Sequence, residues 1–453
     1  MIASRDRHIE RWYPLRPHSG QYGLWMSRAR FKIVFAGRRS GKTELFKRKL
    51  IDAAIQDDVP PNAWLVAAAP THDQAKAIFW RDLCDLSPRS KVTRILEGEL
   101  TIRFWNGAEV SVRGVDKPQR IEGRPLDFIG IDEFADTKPE LWERHVAPAL
   151  TTPGRPPGMA WLLGVPRGAK HYRELHRAAM AEIAERGPEA RWSVHSWKSA
   201  EILSPEDVEM WKGRMDPLTY AQEFEASWDE ATGRAYYPWK TDVHAIECLP
   251  YMPDLPLVLC FDFNSAPGTC AIGQEHVYTG PRTDLAPQVS DIIGEVWIPS
   301  DSNIQKVCNR IIKDWGEHKG DVLYYGDATG GAGGSAKVDG SDWTWVDRML
   351  KPVFRERLKS RVTPSNPPER VRVNAMNARL MSADGKVHFR VDPKKAPHVV
   401  DDFLGTRLVD GGSGELDKDK KKYQMFTHLT DGCGYWQVRA HPMHRGVSVD
   451  EPL

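Results

Sequence analysis

The chain has 453 residues, of which 41% are hydrophobic and 28% charged, which is the composition of an ordinary globular protein of two or three domains. No apolar run approaches the roughly 18 residues of a membrane-spanning helix, and the first residues are polar, so we expect neither a signal peptide nor a membrane anchor. The six cysteines are scattered without zinc-ligand spacing, which favours reduced thiols of a cytosolic protein.

The net charge of +1 conceals two basic stretches. Residues 1–50 contain 13 Lys or Arg against 3 Asp or Glu, a local charge of +10, so the remaining residues sum to −9. Residues 351–372 contain 7 Lys or Arg against 2 Glu, a local charge of +5. Separate basic patches suit a protein that holds a phosphate backbone and lets it slide. Ordinary solvated surface is the alternative for either stretch.

A phosphate-binding loop is predicted after the first buried strand, because the apolar residues 33–36 are followed by a small, basic turn and then by a helical segment, 44–54. This is the context of a Walker A motif, whose loop N–H groups and helix N-terminus hold phosphate oxygens. We expect Lys42 to reach the β- and γ-phosphates and Thr43 to ligate Mg²⁺. The strict motif has glycine at Ala36, and a glycine turn beside a solvated lysine is the alternative. The loop residues are Gly37, Arg38, Arg39, Ser40 and Gly41.

The other half of a nucleotide site is predicted 90 residues downstream of Lys42, where the apolar strand 126–131 ends in two adjacent carboxylates. We expect Asp132 to hold Mg²⁺, as a Walker B residue does, and Glu133 to orient or deprotonate the attacking water. The alternative is a helix N-cap with a first-turn acid, because 134–143 has helical composition. The pairing of the two motifs favours ATP hydrolysis.

Strands and helices alternate along the rest of the first half. Strand 63–69 precedes a helix over 74–80, which Thr71 or Asp73 is expected to cap. Asn106-Gly107 predicts a hairpin between strands 99–104 and 109–113, and a further strand covers 159–163. The pattern predicts a doubly wound, mainly parallel sheet with the nucleotide at the carboxyl ends of its strands.

The second half is predicted to have its own core, after a proline-interrupted linker near 235–250. The apolar strand 257–263 carries Asp262, and a carboxylate in a buried strand is costly unless it is paired or binds a metal. Further predicted elements are strands 269–274, 290–299 and 321–327, a Ser-capped helix 302–315, a hairpin within 408–423 and a helix 423–439.

Acidic residues on a strand, at a strand end and on a late helix are the layout of an RNase H-like nuclease: Asp262, Asp327 and Asp431. Carboxylates are needed there because two Mg²⁺ or Mn²⁺ ions must be held to activate water and stabilise the leaving oxygen. Glu295 and His428 are lesser candidates, for which we favour an exposed strand face and a capped or core histidine. The Lys-rich hairpin flanks DNA at the nuclease site or, more commonly, is a solvated loop.

Five motifs occur in the order and spacing of the large terminase subunits of tailed bacteriophages: GRRSGKT, AAAPTHDQAKAIFW, FWNGAEVSVRG, RPLDFIGIDEFAD and GVPRG. The likeness continues through 222–228 and the C-terminal half, so the chain resembles that family from about residue 14. The resemblance implies an α/β fold with two domains. These are a P-loop ATPase domain over 1–234 and, after the linker, an RNase H-like nuclease domain over 251–453.

The resemblance also implies roles for particular residues. It matches the three acidic residues named above to the metal-binding positions of the family nuclease. Gly164-Val165-Pro166 corresponds to the coupling motif that links nucleotide state to movement, although the family usually has Thr or Ser at the position of Val165. Arg39 in the loop, and Arg120 or Arg124 before the Walker B strand, are arginine-finger candidates.

The activity implied is ATP-driven packaging of double-stranded DNA into procapsids, with metal-dependent cleavage of concatemeric DNA. The implied cofactors are ATP with Mg²⁺ for the motor and Mg²⁺ or Mn²⁺ for the nuclease. The implied partners are DNA, the portal of the procapsid, the small terminase subunit and further copies of the chain in a ring, in the cytoplasm of the infected host. Two alternatives are a helicase-like ATPase fused to an RNase H-like resolvase or recombinase, and a P-loop scaffold without turnover.

Overall fold

The computed structural model describes residues 18–166, 170–228, 233–263, 267–331, 341–409, 415–418 and 426–442. The chain divides into two compact units. The first unit is Met1–Val208 with Ala221–Asp229, and the second unit is Glu209–Tyr220 with Glu230–Leu453. Within the described ranges, every helix is too short or too polar to cross a membrane.

The first unit contains an eight-stranded sheet of order β3-β4-β5-β2-β6-β7-β1-β8. Strands β3 and β4 run antiparallel to their neighbours at one edge, and the other neighbours pair in parallel. The mainly parallel sheet was predicted from the alternating pattern. The strands are β1 Phe31–Ala36, β2 Trp64–Ala69, β3 Val92–Leu96, β4 Thr101–Phe104, β5 Glu109–Gly114, β6 Phe128–Ile131, β7 Met159–Gly164 and β8 Trp192–Trp197.

Eight α-helices lie within the described part of residues 18–228, and the last two extend into the second unit. A capping box at Thr71, formed with Gln74, begins α3, so Thr71 rather than Asp73 is the cap. The helices are α1 Ser19–Met26, α2 Lys42–Ala54, α3 His72–Ala75, α4 Arg81–Leu86, α5 Ala147–Ala149, α6 Lys170–Arg186, α7 Pro205–Lys212 and α8 Pro217–Phe224. Two π-helical turns, Lys76–Trp80 and Leu141–Val146, lead into α4 and α5.

The single helix predicted over 134–143 is wrong. The structure has a 3₁₀ turn at Phe134–Asp136, and helical geometry resumes only at Leu141. Two local features explain the break. Glu133 adopts a left-handed conformation with φ of 50°. Pro139 then disfavours helical geometry at the residue before it.

The first sheet is buried on both faces. All six residues of β1 are buried, and their side chains alternate between two hydrophobic clusters. Val34 packs in the cluster that contains Phe46 of α2 and Trp161 of β7, whereas Ile33 and Phe35 pack in the cluster on the other face. Burial of both faces explains why the predicted strands have continuous apolar runs instead of an alternating pattern.

The second unit contains a six-stranded sheet of order β13-β12-β9-β10-β11-β14. Strand β10 is antiparallel to β9 and β11, and β12 and β13 run parallel to β9. The strands are β9 Leu257–Asp262, β10 Gly268–Val277, β11 Leu285–Ile298, β12 Val322–Gly326, β13 Leu358–Ser360 and β14 Val387–Val391. The helices are α9 Thr241–His244, α10 Ile304–Trp315, α11 Asp342–Phe354, α12 Glu369–Leu380, α13 Pro397–Gly405 and α14 His428–Ala440.

One local expectation in the second half differs from the structure. Asn303, not Ser302, caps α10, because its side chain accepts a hydrogen bond from the Lys306 N–H. Tyr236 and Trp239, in the segment predicted as a linker, are fully buried in a core cluster of the second unit. Of the predicted hairpin, an antiparallel bridge between Leu408 and Leu416 is described, and 410–414 and 419–425 lie outside the described residues.

A close contact between β6 and α2 gives a test of this packing. A Cβ atom added at Gly130 would lie 2.1 Å from ring carbons of Phe46. We expect Gly130→Ala to lower the free energy of unfolding of the first unit by about 1–3 kcal/mol, as overpacking of a core does. Thermal unfolding followed by calorimetry measures the change. Gly98→Ala is the control, because a Cβ there meets no atom within 4 Å. An unchanged transition for Gly130→Ala would contradict the packing.

Candidate active sites

The predicted phosphate loop connects β1 to α2, and backbone conformation explains its sequence. Gly41 and Arg39 have positive φ angles of 79° and 55°. A Cβ at Gly37 would lie 2.3 Å from Ser199 Oγ and 2.5 Å from the Phe224 carbonyl oxygen, so only glycine fits there. Packing therefore requires glycine at position 37, one position later than in the strict motif. Ala36, at the position of the motif glycine, is the last residue of β1.

Side chains from distant segments fix the loop. The Ser40 carbonyl accepts hydrogen bonds from Gln21 Nε2 at 3.2 Å and from Trp197 Nε1 at 2.9 Å. The Arg38 N–H donates to the Glu223 carbonyl at 2.6 Å, and the Arg38 guanidinium forms an ion pair with the Glu223 carboxylate. Through these contacts the Ser40 carbonyl faces Gln21 and Trp197, and the Arg38 side chain faces Glu223. No sequence pattern assigns a role to Gln21, Trp197 or Glu223, because they lie far from the loop in the chain.

The predicted Walker residues meet beside the loop. The Thr43 hydroxyl donates to Asp132 Oδ2 at 2.7 Å, and Asp132 Oδ1 accepts from the Glu133 N–H at 3.0 Å. Asp132 is 4% exposed, and Lys42 at the start of α2 is also buried. A hydroxyl and a carboxylate are oxygen donors of the kind Mg²⁺ prefers, so the residues fit this ion. Burial, reinforced by the Asp132 and Glu133 carboxylates, raises the pKa of the nearby Tyr172 hydroxyl.

The predicted coupling motif lies at the same edge of the sheet. Gly164 ends β7, which lies between the Walker A strand β1 and the Walker B strand β6, and it is in register with Phe35. Val165 is fully buried, which fits an aliphatic residue at this position. The motif therefore follows a strand that pairs with both the Walker A strand and the Walker B strand.

The arginine-finger candidates differ in their surroundings. Arg39 is exposed within the loop, and Arg120 is exposed on the short turn Pro118–Ile121. Arg124 instead pairs with Glu109 and lies over the Trp64 ring, 5.1 Å from its centroid. Through these contacts Arg124 links the amino-terminal ends of β2 and β5, which is a structural role.

The second candidate site lies at the carboxyl ends of β9 and β12. Phe261 and Gly326 are in register on these parallel strands, so the next residues, Asp262 and Asp327, are neighbours. Helix α14 packs closely on β9, since a Cβ at Gly432 would lie 3.0 Å from the Cys260 carbonyl oxygen. The adjacent Asp431 is therefore held near the two strand ends.

The three acidic side chains act on shared neighbours, and Arg372 and Lys418 oppose part of their effect at Asp431. Burial is the main cause that raises the pKa of Asp431, and the Asp262 carboxylate raises it further. Burial likewise raises the pKa of the Tyr435 hydroxyl, and all three carboxylates add to that increase. The structure thus gathers residues that are 65 and 104 positions apart in the chain.

Each acidic side chain is also bound by a protein donor. Asp262 accepts from His428 Nδ1 at 2.9 Å, and Asp327 accepts from Asn366 Nδ2 at 2.6 Å. The side chains that bind Asp431 are Arg372, through Nη1 at 2.9 Å, and Lys418, through Nζ at 3.1 Å. In this arrangement the described residues contain no ready group of three metal ligands. The carboxylate oxygens nevertheless fit Mg²⁺ or Mn²⁺ by donor type.

Two expectations about this site are wrong. His428 is not a core or capping histidine, because its imidazole is hydrogen-bonded within the acidic cluster. Glu295 is not on an exposed strand face. It is 5% exposed and accepts hydrogen bonds from the His398 and Val399 N–H groups at the start of α13. Its role is to cap that helix.

The residue that positions α14 was not apparent from the sequence. Asp402 on α13 is fully buried and accepts hydrogen bonds from the Leu429 and Thr430 N–H groups at 2.8 and 3.1 Å. It caps the first turn of the helix that carries His428 and Asp431. Burial raises the pKa of Asp402 to about 8. No sequence pattern indicates this cap, because it comes from another helix.

Part of the chain is similar in sequence to known proteins. No family model matches the chain. Over 181 residues it is 27% identical to the large terminase subunit of Thermus phage G20c and 26% identical to that of Thermus virus P23-45. Each alignment covers 35% of this chain and 36% of the relative, so the chain spans about a third of the length of the curated relatives it matches.

The solved structure of the large terminase from the thermophilic bacteriophage D6E is similar over nearly the whole chain. It aligns with a TM-score of 0.58 at 14% identity and covers 93% of this chain and 99% of that chain. Its complex with ATP-gamma-S aligns with a TM-score of 0.56 at 15% identity, covering 93% and 98%. The predicted fold class is thereby confirmed, and the chain is similar to bacteriophage large terminase subunits, in sequence over 181 residues and in fold over nearly its whole length.

Proposed function

We propose that the chain is a phage terminase large subunit, which uses ATP to drive double-stranded DNA into a procapsid and cuts concatemeric DNA with divalent metal. The observation that carries the proposal is that one chain holds two separate acidic sites. One is the Thr43–Asp132 contact beside a phosphate loop, and the other is the Asp262–Asp327 pair facing α14. The names of the curated relatives, and a related fold solved with ATP-gamma-S, support it.

In the first unit, the N–H groups of loop 37–41 and the N-terminus of α2 bind the phosphates of ATP, and Lys42 balances their charge. Thr43 and Asp132 hold Mg²⁺, which when bound neutralises charge on the phosphate oxygens. Glu133, at the end of β6, orients the attacking water or accepts its proton. Arg39 and Arg120 are the proposed arginine fingers.

In the second unit, Asp262, Asp327 and Asp431 hold two Mg²⁺ or Mn²⁺ ions, which when bound activate water and stabilise the leaving oxygen. His428 orients the Asp262 carboxylate through its hydrogen bond, as residues behind a metal ligand do. Lys418 is 46% exposed and can leave Asp431 when a divalent cation enters. Arg372 is 9% exposed and stays, so it lowers the negative charge of the site in both states.

The partners follow from the same proposal. The DNA is double-stranded and bound through its backbone, and the chain docks as a ring on the portal of the procapsid with the small terminase subunit. These events take place in the cytoplasm of the infected host. The division into an ATPase domain over 1–234, a linker over 235–250 and a nuclease domain over 251–453 stays a prediction. Tyr236 and Trp239, buried in the second unit, favour a shorter connection.

Substitutions in the first unit separate ATP binding from ATP hydrolysis. We expect Lys42→Ala to weaken nucleotide binding and abolish hydrolysis, because it removes the charge that faces the phosphates. Glu133→Gln should reduce hydrolysis by about 100-fold or more while binding persists, because only the water-orienting carboxylate is lost. Steady-state ATPase rates and titration with a fluorescent ATP analogue measure both effects.

Lys49→Ala, in the same helix, and Glu143→Gln, on an exposed turn, are the matched controls and should behave like the wild type. Wild-type turnover by Glu133→Gln would remove its assigned role. Wild-type binding and turnover by Lys42→Ala would remove the nucleotide site itself.

Substitutions in the second unit test the metal site. We expect Asp262→Asn and Asp327→Asn to reduce plasmid cleavage by more than about 100-fold, since even residues behind a metal ligand contribute about 10- to 100-fold. Their ATPase rates should stay unchanged. Mn²⁺ should raise the thermal unfolding midpoint of the wild type more than that of either variant. Cleavage assays and calorimetry with and without Mn²⁺ measure these effects.

Asp321→Asn is the matched control, because Asp321 precedes the opposite end of β12 and pairs with Lys359 on the surface. Asp431→Asn should differ from the other variants by losing stability without metal, by about 3–5 kcal/mol, because Arg372 is left buried without its partner. Equal Mn²⁺ stabilisation of all variants, or wild-type cleavage by Asp262→Asn, would rule out the metal site.

A further inference from the structure

A basic groove of about 480 Å³ lies beside the last residues of β11. One wall is the exposed face of α10, and the other includes Lys395 and Trp297. The cations that line it are Lys306, Arg310, Lys313 and Lys395. None of them belongs to the two basic stretches apparent in the sequence, and none is used by the acidic site.

The three cations on α10 form one row. They lie at positions i, i+4 and i+7, which share a helix face, while Val307, Cys308 and Ile311 on the opposite face are buried. Seven residues of helix rise about 10 Å, which matches about three base steps of duplex DNA at 3.4 Å each. One DNA strand carries about three phosphates over that length of the duplex axis, so the row supplies enough charge to neutralise them.

The cations of the row are available to a stronger anion. Lys306 pairs with Asp301 at 2.8 Å, and Arg310 pairs with Asp314 one turn away, but both pairs are exposed. Exposed ion pairs contribute only about 0–1 kcal/mol, so phosphates can replace the carboxylates. Lys313 is exposed and has no ion pair with any residue that the structure describes.

Strand register connects the groove to the acidic site. Asp262 of β9 is in register with Thr269 of β10, which is in register with Trp297 of β11. Two strand spacings put the backbones of Asp262 and Trp297 about 10 Å apart, so the groove and the acidic cluster share this edge of the sheet, although α10 and α14 pack on its opposite faces. Trp297 stacks on the His398 ring with centroids 4.2 Å apart, which gives that edge a flat, rigid surface.

We infer that the basic groove binds the phosphate backbone of the DNA duplex that the acidic site cuts, and so positions the phosphate to be cleaved. The inference rests on the proposed nuclease function. The proposed contacts are to phosphate, because the negative charge of the duplex lies on its backbone. Binding is therefore independent of sequence and sensitive to salt.

The test compares the full-length wild type with the triple variant Lys306→Ala, Arg310→Ala, Lys313→Ala. With fluorescein-labelled duplexes of two unrelated sequences in EDTA, the slope of log K against log salt should fall by roughly 2 to 3 units, about 0.9 for each phosphate that is no longer neutralised. In cleavage assays with Mn²⁺, KM should rise about tenfold or more with a smaller change in kcat. ATPase activity without DNA should be unchanged.

Lys319→Ala is the matched control, because Lys319 is exposed near the start of β12, at the opposite edge of the sheet. A triple variant with the wild-type salt slope and KM would overturn the inference and leave the groove to an acidic protein segment. The same decrease in Lys319→Ala would also overturn it. The binding arm contains no metal, so it tests the groove even if the wild type fails to cleave DNA, an outcome that would instead reject the proposed nuclease.

Discussion

Both sites depend on carboxylates that are largely removed from water, one directly after a buried strand and one on a helix that packs against such strands. Asp132 and Asp431 are only 4% and 8% exposed, and a buried charge is costly unless other groups compensate it. Asp132 is compensated by the Thr43 hydroxyl and a backbone N–H, and Asp431 by Arg372 and Lys418. The same contacts tie the start of α2 to Asp132 and tie α12 to α14. Each contact therefore both compensates the charge and holds the site in position.

The two sites meet this requirement in different ways. Neutral donors surround Asp132, which leaves its negative charge for a metal ion. Cations surround Asp431, so entry of a divalent ion exchanges one positive charge for another. Lys418 is the exchangeable cation because it is half exposed, whereas Arg372 is buried and lies over the Tyr435 ring, 4.4 Å from its centroid. The charge of this acidic site is therefore compensated without metal, and one of its two cations is exposed.

The sequence predicted features that depend on neighbouring residues, such as the cap at Thr71 and the loop that begins at Gly37. The cap is set by contacts within a few positions, and positive φ angles at Arg39 and Gly41 favour the loop sequence, but distant segments fix the loop in place. It also predicted the three nuclease acids, but their convergence had to be taken from family resemblance because strand register is not local. Features made by remote segments were missed. Asp402 caps a helix whose first turn lies 26 residues later, and Trp239 is buried although prolines surround it in the sequence.

The difference between features made by neighbouring residues and features made by the fold applies to basic surfaces as well. A count along the chain finds contiguous basic stretches, whereas a helix gathers residues spaced by three or four into one row, and strand register then sets that row beside an acidic edge. Duplex DNA has a persistence length of about 150 base pairs, so it is effectively straight over the roughly 10 Å between the groove and Asp262. A few phosphate contacts at the groove therefore determine where the duplex meets the carboxylates. The proposed groove contacts thus orient whichever stretch of duplex is bound, without selecting a sequence.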